Sequence, residues 1–156
     1  MGKKVLMVCL GNICRSPMAQ GILEHKVEES GLDVEVDSAG TSDYHIGQAP
    51  DHRAIAKSKE YGIDISQYKG RQLVAEDFEE FDRILVMDTS NYNNAVALVE
   101  DEQKKAKVEM ILNLSQPGNN MSVPDPYFGG EEGFENVYQL LDHACDVLIK
   151  ELKSER

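Results

Sequence analysis

Near the N-terminus an unbroken apolar stretch, Val5-Leu-Met-Val-Cys-Leu10, follows Lys3-Lys4 and ends at Gly11-Asn12. An apolar run without alternation, closed by a turn signal, predicts a strand over 4–10 that is buried on both faces. Ser16-Pro17 then offers a helix N-cap with proline behind it. The helix runs to about Ser30 with Met18, Ile22, Leu23 and Val27 on its inner side, and Gly31 stops it. Further strands are expected over 34–39, 83–87 and 108–112. One helix opens at Asp51 and ends near Gly62, and another is capped by Thr89-Ser90 and runs toward Val99. Residues 113–133 are rich in Pro, Gly and Asn and read as a loop. Beyond them Phe134, Val137, Tyr138, Leu141, Cys145, Leu148 and Leu152 recur at helical spacing.

Strands alternating with helices imply an α/β fold, a doubly wound domain with a four-stranded parallel sheet of order 2-1-3-4 and helices on both faces. In such sheets ligands bind beyond the carboxyl ends of the strands, where the strand order switches. The turn from Cys9 to Ser16 leaves the first strand at that edge. The 156 residues fit one compact domain, 1–156, with no repeat or linker.

Charge changes the picture in one respect. The net charge of −12 argues against nucleic acid as a partner. It also means that an anionic substrate must be captured by a local positive field. Six apolar residues after Lys3-Lys4 are too few for a signal peptide or a membrane span, and Leu6 spoils a myristoylation motif at Gly2. No membrane association and a cytoplasmic location are therefore expected. The acidic run over 76–82 reads as a solvated face.

The chemistry concentrates in Cys9-Leu-Gly-Asn-Ile-Cys-Arg-Ser-Pro17. A short loop at a helix N-terminus turns backbone N–H groups toward an oxyanion, and the helix dipole adds partial positive charge. Gly11 is expected to supply a backbone conformation closed to larger residues. Arg15 adds a permanently charged fork that holds two phosphate oxygens. Cys9 stands at the mouth of this cradle, where such surroundings favour the thiolate, with the Ser16 hydroxyl as a further donor. A lone cysteine in a buried strand is usually a small hydrophobe, and a Cys-x5-Arg spacing alone is weak. The strand before, the helix after and the glycine inside favour the nucleophile. The mononucleotide P-loop lacks its Gly-Lys-Ser/Thr ending here, and a zinc site lacks its partner ligands.

Read together, these residues resemble the signature of the low-molecular-weight protein tyrosine phosphatases. The likeness continues through Asp37-Ser-Ala-Gly-Thr41, Pro50-Asp51-x-Arg53-Ala54, Phe81-Asp82, Met87-Asp-x-Ser-Asn91 and Val123-Pro-Asp-Pro-Tyr127. The resemblance implies that Cys9 is the nucleophile, Arg15 the phosphate clamp and Asp125 the general acid and later base. It implies a phosphate cradle of Leu10, Gly11, Asn12, Ile13, Cys14, Arg15 and Ser16, with Asn12 bonded toward Ser38 to support the loop, and no metal or organic cofactor. On the residues alone, Asp125 is one acidic group among 28, distinguished by the two prolines that stiffen it. A tyrosine leaving group, with a pKa of about 10, needs that proton.

Tyr44 and Tyr127 are candidate aromatic walls for a phenyl phosphate or, equally, ordinary exposed loop tyrosines. Phe128 stands where many relatives carry a second tyrosine. The resemblance suggests a reversible Cys9–Cys14 disulfide, although Cys14 reads as well as packing, and Cys145 reads as core. His45, beside Tyr44, is a candidate substrate contact, and Asp88 a candidate for positioning the site. The implied partners are phosphotyrosine-containing proteins and small aryl phosphates. Arsenate reductases share the loop but need further cysteines between Cys14 and Cys145, and there are none. Phosphoarginine phosphatases typically carry threonine where Ile13 stands.

Overall fold

The computed structural model describes residues 2–155, apart from the side chain of Phe128, which lies outside the described residues. Four parallel strands form the sheet: β1 (Lys3–Cys9), β2 (Val34–Gly40), β3 (Arg83–Val86) and β4 (Val108–Met110). Their spatial order is β2-β1-β3-β4, as expected from the alternation of elements. β1 is central, with Cys9 level with Gly40 of β2 and Val8 with Val86 of β3.

The buried run of β1 serves two cores at once. Val5, Met7 and Cys9 point into a larger core with α1 (Arg15–Ser30) and α6 (Gly130–Ser154), contributed by Met18, Ile22, Leu23, Phe134, Leu141 and Leu148 among others. Leu6 and Val8 point the other way, into a smaller core with Phe78 of α3 (Asp77–Glu80) and Ala95 of α4 (Thr89–Val96). A side-chain period of two sends successive residues to opposite faces, so a strand between two helical layers must be apolar throughout. Helix α2 (His52–Glu60) packs on the α6 side, and α5 (Glu102–Lys105) lies near α3. Cys145 is fully buried in the larger core, and that burial pushes its thiol up to about 12.

Several expected boundaries shift, each for a physical reason. α1 begins at Arg15 with Cys14 before it, so Ser16 is not the N-cap; its hydroxyl is turned inward to Cys9 instead. Pro17 falls at the third helical position, where a missing N–H still costs nothing. α4 is capped by Asp88, whose carboxylate accepts the Asn91 N–H at 2.7 Å, rather than by Thr89-Ser90, and it stops at Val96. β3 and β4 are shorter than the apolar runs that predicted them. Ile111–Asn113 tightens into a 3₁₀ turn. The acidic run is not a solvated face throughout. Asp77 is buried and accepts a two-pronged contact from Arg71, at 3.1 Å on each side, while Phe78 and Phe81 fill the smaller core. Among the described residues no helix is long and apolar enough to cross a membrane.

Gly21, in the middle of α1, is a packing glycine. A Cβ there would lie 2.5 Å from Ile65 Cγ2 and 2.9 Å from Ile63 Cγ2. In an open helix Gly→Ala gains about 1 kcal/mol. Here overpacking costs about 1–3 kcal/mol, so Gly21→Ala is expected to destabilise by about 1 kcal/mol net, read as a lower urea midpoint. A raised midpoint would show that α1 can shift away from Ile63 and Ile65.

Candidate active site

The carboxyl end of β1 continues directly into a tight loop that closes at the first turn of α1, at the edge where the strand order switches. The loop curls at Asn12, whose φ is +58°. This corrects the expectation for Gly11. The left-handed residue is Asn12, one of the few non-glycine types that adopt this conformation readily. Gly11 is small for another reason: a Cβ there would stand 2.9 Å from His45 Cδ2.

What holds Asn12 in place is its own amide. Its Oδ1 accepts the Arg71 main-chain N–H at 3.1 Å. Its Nδ2 donates to Ser16 Oγ at 2.8 Å and to Ser38 Oγ at 3.0 Å. Ser38 in turn donates its hydroxyl proton to Gln20 Oε1 at 2.6 Å. Ser16 Oγ also lies 3.0 Å from the Cys9 sulfur and 3.5 Å from the Ala39 carbonyl, the two partners open to its proton. The Asn12 main-chain N–H points to the same sulfur at 3.3 Å. The Asn12 N–H and the Ser16 hydroxyl thus both face Sγ. The side chains of Asn12 and Ser16 are buried behind the loop, while the amides of Gly11, Ile13, Cys14 and Arg15 donate to no protein acceptor among the described residues.

Arg15 is almost fully buried, and its guanidinium is oriented from behind. Its Nη1 donates to Asp88 Oδ2 at 2.8 Å and to the Val123 carbonyl at 2.9 Å. Nε and Nη2 make no protein hydrogen bond among the described residues, which leaves one edge of the fork for an oxyanion. Asp88 thus does two things, capping α4 with one oxygen and steering Arg15 with the other.

A cavity of about 300 Å³ opens above the loop, lined by Cys9, Leu10, Gly11, Ile13, Cys14 and Arg15 below and by Tyr44, His45, Asp125 and Tyr127 at the rim. All three expected catalytic side chains thus meet in one cavity. Asp125 is exposed and precedes a 3₁₀ turn, Pro126–Phe128, where its Oδ1 accepts the Tyr127 N–H at 3.0 Å. Tyr44 and Tyr127 stay exposed, at 72 % and 42 %, with their rings on the cavity rim. Cys14 shares the cavity with Cys9 but sits in different surroundings. Burial first, then the nearby Asp51 and Cys9, push its thiol far above its ordinary range and keep it neutral. No group of three or more His, Cys, Asp or Glu among the described residues is arranged to hold a metal ion.

Three supporting residues were not singled out by the sequence. A Cβ on Gly40 would meet the Leu10 carbonyl at 2.7 Å, so only glycine lets β2 press against the loop. Arg71 contributes its backbone to Asn12 and its side chain to Asp37 and Asp77. Gln20, one turn into α1, orders Ser38. The signal for Gly40 was present, within Asp37-Ser-Ala-Gly-Thr41, but a glycine after a strand has many explanations.

Comparison with known proteins gives a consistent result. The family model described as low molecular weight phosphotyrosine protein phosphatase matches residues 4–156. Proteins bearing that name are similar along nearly the whole chain. The one from Schizosaccharomyces pombe is 41 % identical over 149 residues, 93 % of this chain and 94 % of the relative. The human one is 40 % identical over 151 residues, 95 % and 94 %. The crystal structure of a protein tyrosine phosphatase from Entamoeba histolytica superposes with a TM-score of 0.91 at 38 % identity, covering 98 % of both chains.

The Asn12 hinge can be separated into its backbone and side-chain parts. Asn12→Ala loses the amide contacts and places an unsuited residue at φ > 0, for an expected cost of about 2–4 kcal/mol. Asn12→Gly loses only the amide contacts, so its denaturation midpoint should fall between those of Asn12→Ala and wild type. Equal midpoints for the two variants would show that the loop backbone carries no strain.

Proposed function

The chain belongs to the family of low molecular weight phosphotyrosine protein phosphatases, which are cysteine-dependent hydrolases, and from that membership we propose how its own residues divide the reaction. Cys9 attacks phosphorus in line with the leaving oxygen, forming the S–P bond of a phosphocysteine as the P–O bond to the phenol breaks. Asp125 delivers its proton to the departing oxygen, which spares the enzyme from expelling a free phenoxide. Water then attacks the phosphocysteine while the Asp125 carboxylate takes its proton. Inorganic phosphate leaves, and the thiolate is restored.

Arg15 and the loop amides act on the charge that spreads over the three equatorial oxygens in both steps. They also offset the repulsion between a thiolate and a phosphate dianion, in a molecule whose net charge is −12. The observation that carries this reading is the Cys9 sulfur, faced by the Asn12 N–H and the Ser16 hydroxyl, in a cavity that also holds Arg15 and Asp125.

The substrates we propose are phosphotyrosine in proteins and small aryl phosphates. Support comes from the cavity wall, where Leu10, Ile13, Tyr44 and Tyr127 offer apolar and aromatic surface to a phenyl ring. Ile13 gives no hydroxyl to a guanidinium leaving group. A cytoplasmic setting suits this chemistry, since Cys9, Cys14 and Cys145 are all free thiols.

Turnover of para-nitrophenyl phosphate with EDTA present tests the assignment. Cys9→Ser should abolish activity while keeping phosphate binding, and Asp125→Asn should lower kcat/KM by about 10²- to 10⁴-fold. Activity that depended on added metal would overturn the mechanism. Cys14 generates a second prediction. Peroxide oxidises Cys9 to a sulfenic acid, and condensation with the Cys14 thiol expels water and forms a disulfide that a thiol reductant reopens. Without Cys14, further peroxide carries the sulfenic acid to a sulfinic acid that thiols do not reduce, so activity lost to excess peroxide should return on thiol treatment in wild type and remain lost in Cys14→Ser. Equal recovery in both would leave Cys14 as packing.

A further inference from the structure

Asp125 makes a single hydrogen bond among those described, and it is local: the Tyr127 N–H two residues on. Nothing in that bond fixes its distance from Cys9. The placement of the carboxyl therefore depends on how the short segment around it is docked, and the segment is docked at two points. On its N-terminal side Val123 donates its N–H to the Met87 carbonyl at 2.7 Å and accepts from Arg15. On its C-terminal side the Tyr127 carbonyl accepts from Arg53 Nη1 at 2.8 Å.

Arg53 lies outside the cavity, in the first turn of α2, and every nitrogen of its guanidinium is used. Nε and Nη2 donate to the two oxygens of Asp51, each at 3.0 Å. Nη1 takes the Tyr127 carbonyl. The guanidinium carbon sits 5.1 Å from the Tyr127 ring centroid and 5.0 Å from that of Phe134. Asp51 closes the path, because its main-chain N–H donates to the Ile13 carbonyl in the phosphate loop at 2.8 Å. The loop that holds the nucleophile is thus joined to the turn that follows the acid through two side chains, Asp51 and Arg53.

We infer that Arg53 is a positioning residue for the reaction: it clamps the turn after Asp125 to the phosphate loop, so that the carboxyl meets the leaving-group oxygen. The inference rests on the assignment of Asp125 as the acid. The planar fork is what the task requires. A guanidinium can bind a carboxylate along one edge, a carbonyl at the remaining nitrogen and aromatic rings against its face, all in one fixed geometry. A lysine ammonium supplies the charge without that geometry. A misplacement of about 1 Å at a reacting group costs up to about 10²-fold in rate.

The test compares kcat/KM, which reports cysteine phosphorylation, for para-nitrophenyl phosphate and for phenyl phosphate. The phenyl ester has the more basic leaving group and depends more on the proton from Asp125. The enzymes are wild type, Arg53→Lys, Arg53→Met, Asp125→Asn and the double variant Arg53→Met/Asp125→Asn. The Arg53 side chain is one-third exposed, so both single substitutions are tolerable to the fold. Arg53→Met should lower kcat/KM about tenfold or more for phenyl phosphate and clearly less for para-nitrophenyl phosphate, with Arg53→Lys close behind. It should cost nothing further in the Asp125→Asn background, because the two residues act as a unit. The inhibition constant for inorganic phosphate should stay within about threefold of wild type, since the phosphate loop keeps its own amides and Arg15. Equal losses on both substrates, or losses that multiply with Asp125→Asn, would overturn the positioning role alone. An Asp125→Asn enzyme with unchanged kcat/KM would overturn the acid assignment and the role of Arg53 with it.

Discussion

The Asn12 amide is the contact on which the site depends. It satisfies three groups at once: the Arg71 main-chain N–H, the Ser16 hydroxyl and the Ser38 hydroxyl. Without it there is little to keep a left-handed residue in the loop, and without that residue the chain could not turn back on itself between β1 and α1. Arg71 N–H can only donate, so Oδ1 faces it and Nδ2 faces the two serines. Ser16, already an acceptor from Asn12, is thereby held with its hydroxyl against the sulfur. The groups that face the Cys9 sulfur are held by a chain of contacts that begins at the Arg71 backbone, 59 positions from Asn12.

Charge works locally here and against the molecule as a whole. A protein of net charge −12 that handles a phosphate dianion cannot rely on long-range attraction. Burial of Arg15 solves the problem by placing one cation where solvent screens it least, with Asp88 engaged on a single nitrogen and the opposite edge open. The two cysteines of the cavity are both buried, and it is their neighbours that separate them. Cys9 has donors around its sulfur. Cys14 has desolvation and nearby negative charge, and it stays a neutral thiol.

Much of this was legible in the sequence because it is local. The unbroken apolar run gave β1, the periodicity gave α1 and α6, and the alternation of elements gave the sheet order. Cys9 and Arg15 lie on one short loop, and their meeting follows from its length. Several of the misreadings concern partners far apart in the chain. Gly11 was the obvious residue for an unusual backbone, but the side-chain partners that stabilise φ > 0 belong to Asn12, and they come from Ser38 and Arg71. Ser16 looked like a cap until Cys9 claimed its hydroxyl. Asp77 looked solvated because nothing nearby in sequence announces Arg71 as its counter-ion. Asp88 met Arg15 across 73 residues, a pairing that the family likeness hinted at and the pattern of residues did not.

The central place of β1 has a consequence for how the chain is made. β1 leaves the ribosome first, and α1 and β2 follow soon enough to cover Val5 and Met7 and to pair one edge. Its other edge waits for β3, which is complete only at Val86. Until α3 emerges Leu6 and Val8 have no helical layer over them, and until β3 follows the open edge offers unpaired backbone to any passing strand. The nascent N-terminal third is therefore the span most in need of chaperone shelter, and the phosphate loop cannot be completed before Arg71 has emerged.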